Sequence, residues 1–135
     1  MLLTPKIARG LAKTLLPADV MEWAGKLEIQ DNGHGFDPFG LHPSFAALGL
    51  GLCWKLHHDY FRVKSYGVEN IPTDKGGVIA ANHSGTIPTD AMMLWADVLL
   101  QSKRIPRPIA DHFVPSLPWF GVLFARSGMV GGSRG

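Results

Sequence analysis

The chain has 135 residues, 46% of them apolar and 18% charged, a composition that fits one globular domain and excludes a disordered tail. Its net charge of +2 does not indicate nucleic-acid binding, although the part from Lys103 onward carries five cations and one acid. This basic part suits an anionic ligand or membrane surface, or is an ordinary solvated face. The one cysteine, Cys53, cannot form a disulfide within the chain, which favours a reducing compartment, and its apolar neighbours predict a core residue.

The N-terminal segment lacks the order of charge, apolar stretch and small residues that marks a signal peptide. No apolar stretch reaches the ~20 residues that a membrane-spanning helix needs. Residues Pro5 to Leu16 predict an amphipathic helix, with Ile7, Leu11 and Leu15 on one side and basic residues between them. Such a helix either packs on the domain surface or lies at a membrane interface.

A glycine-rich loop is predicted over residues 30–43, because three glycines and a proline fall between Gln30 and Gly40. His34 and Asp37 lie in this loop and are metal-ligand types. Two ligands without a third are a weak metal signal, so we expect a structural turn and no metal site.

The segment Pro43 to Tyr60 predicts the main N-terminal helix, which is apolar enough to be buried or partly immersed in lipid. Gly49 and Gly51 weaken this helix locally and indicate close packing against neighbouring elements. His57 precedes a second histidine and an aspartate, but adjacent residues point to different sides of a helix, so no metal site is predicted there. This helix completes an N-terminal helical region, residues 1–60.

Residues 61–135 predict an α/β region. Arg62 to Tyr66 alternates as a strand does, and Gly77 to Asn82 is a continuous apolar run, typical of a strand buried on both faces. The other predicted elements are helices over Ala91–Gln101 and over Leu117–Ala125, the latter begun by Pro118, and strands over Pro108–Ala110 and Gly128–Val130. Their alternation from Val78 onward predicts a mostly parallel βαβ sheet.

His83 directly follows the predicted strand that ends at Asn82, and ligands bind outside the carboxyl ends of strands in open parallel sheets. Histidine in water titrates at about pH 6.5 and can take a proton from an alcohol. Asp90 would fix the tautomer of His83 if the intervening loop folds back. The alternatives are that Asp90 only caps the next helix and that His83 is a hydrogen-bonded core residue.

The stretch Tyr60 to Arg134 resembles the glycerolipid (lysophospholipid) acyltransferase superfamily. Phe61 to Pro72 is similar to the lead-in to the family's first motif, and Ala81-Asn82-His83-Ser84 to its opening. Most members have Asp five residues after His, where this chain has Pro88, and Asp90 comes two residues later. The resulting His-Ser-Gly-x-x-Pro-x-Asp form resembles a bacterial branch with a longer loop, whose pre-domain segment resembles Phe36 to Gly40.

Leu117 to Gly121 and Gly128 to Arg134 resemble the second motif region, where an arginine holds the acceptor's phosphate or glycerol part. Arg134 is at the matching position; its alternative is a solvated terminal arginine. The family's third motif, of Phe-Pro-Glu-Gly type, does not occur before Gly135, so we expect a truncated chain. The resemblance implies an α/β fold with N-terminal helices followed by a mostly parallel βαβ sheet, like that of glycerol-3-phosphate acyltransferase.

The implied activity is transfer of a fatty acyl group from acyl-CoA or acyl carrier protein to a glycerol-type hydroxyl, such as that of a lysophospholipid, in phospholipid or glycerolipid synthesis. His83 would be the general base and Asp90 would orient it. Backbone N–H groups near Ser84 and Gly85 would stabilise the oxyanion. Arg134 would bind an acceptor phosphate.

The resemblance implies no bound cofactor, no nucleic-acid partner and a peripheral place on the cytoplasmic side of a membrane surface. One alternative is a truncated, inactive remnant that only associates with membranes through its two predicted N-terminal helices. Another is a serine hydrolase that uses Ser84, which the absence of a Gly-x-Ser-x-Gly elbow disfavours.

Overall fold

The computed structural model of the chain describes residues 3–85 and 87–132. Within these residues the fold is mixed α/β and mostly helical. The helices are α1 (Pro5–Leu15), α2 (Ala18–Ala24), α3 (Pro43–Lys55), α4 (Thr89–Ser102) and α5 (Phe120–Arg126), and the strands are β1 (Ile109–Ala110) and β2 (Val130–Gly131). No helix in this described part is long and apolar enough to cross a membrane.

Helix α1 packs closely on α3. It begins after Thr4, whose hydroxyl accepts a hydrogen bond from the Ile7 N–H at 3.4 Å, and it buries Ala8 and Ala12 completely. A Cβ on Gly51 of α3 would stand 2.9 Å from the Cβ of Leu15, so only glycine permits this approach. Gly51 therefore confirms the predicted close packing. Gly49 does so too, because a Cβ there would stand 2.9 Å from the Ser127 hydroxyl.

Helix α3 is the central element of the core. Its first N–H groups are capped by His42, whose Nδ1 accepts from the Ser44 N–H at 3.0 Å. Burial, together with the positive charge of Arg126, lowers the pKa of His42 and so favours the neutral ring that can accept this bond. The chain continues past Lys55 in a π-helical turn, Leu56–Tyr60, so the helix predicted over Pro43–Tyr60 is confirmed with a wider last turn.

The core lies where α3 meets α1, α2 and α4. Its fully buried large side chains include Leu50 of α3 and Leu99 of α4. Cys53 is 4% exposed, and burial raises the pKa of its thiol to about 11. The prediction of an inert core cysteine is therefore confirmed.

The glycine-rich loop before α3 is a structured turn, as predicted. One carboxylate oxygen of Asp31 accepts hydrogen bonds from the N–H groups of Gly33, His34 and Gly35 at 2.8–2.9 Å. Asp37 is 7% exposed, accepts from the Leu41 N–H at 2.8 Å and forms an ion pair with Arg107. The loop is thereby anchored to the segment before β1.

The α/β part differs most from the sequence-based expectation. Arg62–Tyr66 and Gly77–Asn82 form no strand in the described structure, and Val78 is 96% exposed. The prediction of a strand buried on both faces is therefore wrong for this structure. Such a strand needs paired neighbours and a covering layer on each face, and the described residues contain only the pair β1–β2.

The two short strands are parallel, with Ile109 beside Val130 and Ala110 beside Gly131. They confirm the strands predicted near Pro108–Ala110 and Gly128–Val130, and α5 lies between them in the sequence. The helix predicted over Ala91–Gln101 is confirmed as the slightly longer α4. Helix α5 begins at Phe120, later than predicted, because the preceding Trp119 has a left-handed φ of 66° that cannot continue a helix.

Candidate active site

His83 and Asp90 are brought together by the loop between them. His83 Nδ1 lies 2.9 Å from Asp90 Oδ1 and 3.1 Å from Oδ2. A carboxylate can only accept, so in the neutral ring the proton is on Nδ1, and Nε2 keeps its lone pair. The His83 side chain is 53% exposed and that of Asp90 31%, so the pair lies at the surface within reach of a substrate.

Asp90 is the second residue of α4, and three neighbours donate to its carboxylate. Besides His83, these are the backbone N–H groups of Ser84, at 2.7 Å from Oδ2, and Ala91, at 2.8 Å from Oδ1. The pKa of Asp90 lies well below its ordinary value of 3.8, chiefly because of the Ser84 N–H, with smaller contributions from Ala91 and the Ser84 and His83 side chains. The positive end of the α4 dipole favours the same ionised state.

The bond from the Ser84 N–H to Asp90 bears on the expected oxyanion site. Because this N–H donates to Asp90, it does not point toward a substrate oxygen, and the Ala91 N–H at the helix start is occupied in the same way. Gly85 is different: a Cβ on it would meet no atom within 4 Å, so its backbone borders open space. The third predicted substrate-binding residue, Arg134, lies outside the described residues.

A cleft of about 280 Å³ adjoins the pair on the side of Asp90 and Ser84. Its lining residues are Phe61, Val63, Ser84, Thr89, Asp90 and Met93. The cleft therefore combines an apolar wall with the polar start of α4, the usual character of a small-molecule site. A larger concavity of about 850 Å³ lies between α2 and residues 103–107 and contains neither His83 nor Asp90. We therefore regard the smaller cleft as the one relevant to chemistry.

A second histidine–aspartate pair lies farther along α4 and was not predicted. His57 Nε2 is 3.0 Å from Asp97 Oδ1, and Ser65 Oγ donates to the same carboxylate at 2.6–2.7 Å. The sequence offered one signal for it. Asp97 is the second of two acids in the apolar helix α4, and it follows Asp90 by seven residues, which puts both acids on one helix face. Among the described residues, no three His, Cys, Asp or Glu side chains are grouped closely enough to hold a metal ion.

Comparison with known proteins bears on the same part of the chain. A family model described as Acyltransferase matches residues 62–135, more than half of the chain, and includes His83 and Asp90. No solved structure matches the chain.

Several curated proteins are similar over part of their length. An uncharacterized protein of Mycobacterium tuberculosis is 35% identical over 98 residues, which cover 70% of this chain and 27% of that protein. An uncharacterized protein of Mycobacterium leprae is 37% identical over 95 residues, which cover 68% of this chain and 26% of that protein. A human protein named "DGAT1/2-independent enzyme synthesizing storage lipids" is 38% identical over 58 residues, covering 43% and 18%. The chain thus spans about a quarter of the length of its mycobacterial relatives.

Proposed function

Because the chain belongs to the Acyltransferase family, we propose that it transfers a fatty acyl group from an acyl thioester to a glycerol-type lipid hydroxyl, with His83 as general base. The observation that carries the proposal is the 2.9 Å contact between His83 Nδ1 and Asp90, which leaves Nε2 as the proton acceptor of an exposed ring. The printed name of the human relative, an enzyme synthesizing storage lipids, supports a lipid product. Because the match covers only about a quarter of the mycobacterial relatives, the activity of a whole protein of that length is part of the proposal.

The reaction follows from these groups. The acceptor hydroxyl gives its proton to His83 Nε2 while its oxygen attacks the thioester carbonyl. Asp90, ionised and hydrogen-bonded to Nδ1, stabilises the imidazolium as it forms. When the tetrahedral intermediate collapses, the carbon–sulfur bond breaks and the proton passes from Nε2 to the leaving sulfur. The donor is acyl-CoA or acyl carrier protein, and no resident cofactor takes part.

The remaining substrate contacts also belong to the proposal. The Gly85 N–H stabilises the oxyanion, since the Ser84 N–H is engaged by Asp90. Ser84 then contributes by lining the cleft and supporting Asp90. Arg134 binds a phosphate on the acceptor, for which a guanidinium is well suited. Acceptors of this kind are lysophospholipids and glycerol phosphates, whereas a neutral glycerolipid would not need Arg134.

We further propose that the protein works as a peripheral protein on the cytoplasmic side of a membrane. Helix α1 contains three cations and no acid, and Leu11 on it is 46% exposed. On α3 and its π-turn, Leu52, Leu56 and Tyr60 are four residues apart and 49%, 37% and 72% exposed. Phe61, the next residue, lines the cleft. An apolar surface with nearby cations that leads to the cleft suits an anionic lipid surface.

The test of function is transfer of a labelled acyl group from acyl-CoA to a lysophospholipid. We expect His83→Ala to abolish transfer, because it removes the proposed proton acceptor, and Asp90→Asn to lower the rate roughly 10³–10⁴-fold by losing the correct tautomer. His112→Ala is the matched control, since the His112 side chain is also exposed, at 85%, and also contacts an aspartate, Asp111. Full activity in His83→Ala would contradict the proposal.

A further inference from the structure

The buried cluster of His57, Asp97 and Ser65 joins three parts of the fold. His57 belongs to the π-turn after α3, Asp97 to the middle of α4, and Ser65 to the segment that leads toward the first motif. The His57 side chain is 6% exposed and that of Asp97 14%, so the two are held together out of solvent. The hydrogen bonds from His57 and Ser65 to one Asp97 carboxylate link these three elements to one another.

The cluster lies one helical turn from the cleft. Met93 lines the cleft, and Asp97 follows it by four residues on the same face of α4. Val63 also lines the cleft, and Ser65 follows it by two residues, which in an extended segment puts both side chains on one side. The segment therefore runs along α4, with Val63 beside the cleft and Ser65 bonded to Asp97.

A second contact ties the same wall to the π-turn. The Val63 N–H donates to the His57 carbonyl at 3.0 Å, so the backbone of the cleft wall and the imidazole of the cluster belong to one connected unit. Along α4, Asp90 and Asp97 are seven residues apart, or about 10.5 Å at the helical rise. Rotation of α4 would move both carboxylates together because they share a face.

The bonding pattern argues against a separate catalytic triad. Ser65 Oγ donates to the Asp97 carboxylate, whereas a nucleophilic serine must donate to a histidine nitrogen. His57 Nδ1 is buried with no hydrogen-bond partner in the described structure. Because a carboxylate can only accept, a neutral His57 ring has its proton on Nε2, toward Asp97. Ser65 is therefore not hydrogen-bonded to a histidine nitrogen that could act as its base. Its effect on chemistry must pass through the elements that it holds.

We propose that His57, Asp97 and Ser65 are positioning residues of the acyl-transfer site. They fix the rotation of α4 and the cleft wall of Phe61 and Val63, so that Asp90 keeps its bonds to the loop that carries His83. This inference rests on the function proposed for His83 and assigns a role to three residues outside the family motif.

The test reads the state of His83 directly by NMR of the full 135-residue chain with ¹⁵N-labelled histidine. In the wild type we expect the neutral His83 ring to carry its proton on Nδ1. Ser65→Ala should shift the His83 ring signals toward a mixture of tautomers. It should also speed hydrogen exchange of the Ser84 amide roughly five- to tenfold, the effect of one weakened hydrogen bond. Ser65→Thr keeps the hydroxyl and should restore both signals.

Ser102→Ala is the matched control. Ser102 is also partly buried on α4 and donates to the Val98 carbonyl at 2.7 Å, but it lies at the far end from Asp90. If Ser65→Ala leaves the His83 ring and the Ser84 amide as Ser102→Ala does, the proposal is wrong. Should Ser65→Ala not fold, Asp97→Asn, which keeps the side-chain shape, decides by the same two signals.

The NMR result needs no turnover, so it is distinct from the test of function. If the protein transfers no acyl group but Ser65→Ala still shifts the His83 signals, the proposed function is wrong and the coupling between the cluster and His83 stands. In an active chain, kcat/KM should fall on the order of tenfold in Ser65→Ala and recover in Ser65→Thr. If Ser65→Thr restores thermal stability but does not restore kcat/KM, the positioning role is contradicted.

Discussion

At the scale of the residue, the Asp90 carboxylate holds the first motif together. It accepts hydrogen bonds from the His83 ring and from the Ser84 and Ala91 N–H groups, so one side chain joins the histidine, the loop and the start of α4. The longer spacing between His83 and Asp90 does not separate them, because the bond from Ser84 draws the loop back. Asp90 thus orients the His83 ring and shapes the backbone around it.

This bonding predicts how Asp90 contributes to stability as the pH changes. The folded-state pKa is depressed, so the contribution is complete above the ordinary value of 3.8 and is lost as the pH falls toward the folded pKa. Urea unfolding should therefore give Asp90→Asn a lower free energy of unfolding than wild type at about pH 7. We expect this difference to stay constant as the pH is lowered and to shrink only below about pH 4. A deficit that disappears between about pH 7 and pH 5 would contradict the assigned bonds. Asp111→Asn, on an exposed acid, controls for loss of a surface charge.

At the scale of the element, local patterns predicted the helices better than the strands. The helices α1, α3 and α4 were predicted because the spacing of apolar residues within each segment indicates a helix. That spacing left open whether the loop returns Asp90 to His83, which the structure shows. Helix α2 was missed because its seven residues, Ala18–Ala24, are too few to show a period. The apolar run Gly77–Asn82 looked like a buried strand, but burial depends on partners that no local pattern specifies. The pair His57–Asp97 was missed for the same reason, as 40 residues separate its members.

The contact between α1 and α3 predicts opposite effects for two glycine substitutions. Gly51→Ala would bring a Cβ to 2.9 Å from Leu15 Cβ, and we expect a net destabilisation of roughly 1–2 kcal/mol after its gain in helix propensity. Gly10→Ala, in α1, is the matched control, because a Cβ there meets nothing within 4 Å. It should stabilise the protein by roughly 0.5–1 kcal/mol. Both values can be read from urea unfolding, and equal stabilisation by the two changes would show that α1 does not pack on α3 as described.

At the scale of the whole molecule, the exposed apolar surface of α1 and α3 leads to the cleft beside Asp90. Leu15 of α1 lies against Gly51 of α3, and both Leu15 and Leu52 are partly exposed, at 37% and 49%. Phe61 connects the end of this surface to the cleft. Under the proposed function, a lipid acceptor would approach the cleft along this surface.

This surface predicts binding to vesicles that contain anionic phospholipid, weaker at high salt, because each cation near such a surface contributes about 1 kcal/mol. Leu52→Ser and Leu56→Ser should each lower the partition coefficient in co-sedimentation roughly five- to tenfold, as expected for half-exposed leucines that become buried in lipid. Val122→Ser is the control, since Val122 is 60% exposed but belongs to α5 and not to α1 or α3. A larger loss from Val122→Ser than from Leu52→Ser would assign membrane contact to α5 instead. Vesicle binding and acyl transfer are measured separately, so the two proposals can fail independently. If the wild-type chain binds vesicles but transfers no acyl group, the result would favour a protein that only associates with membranes.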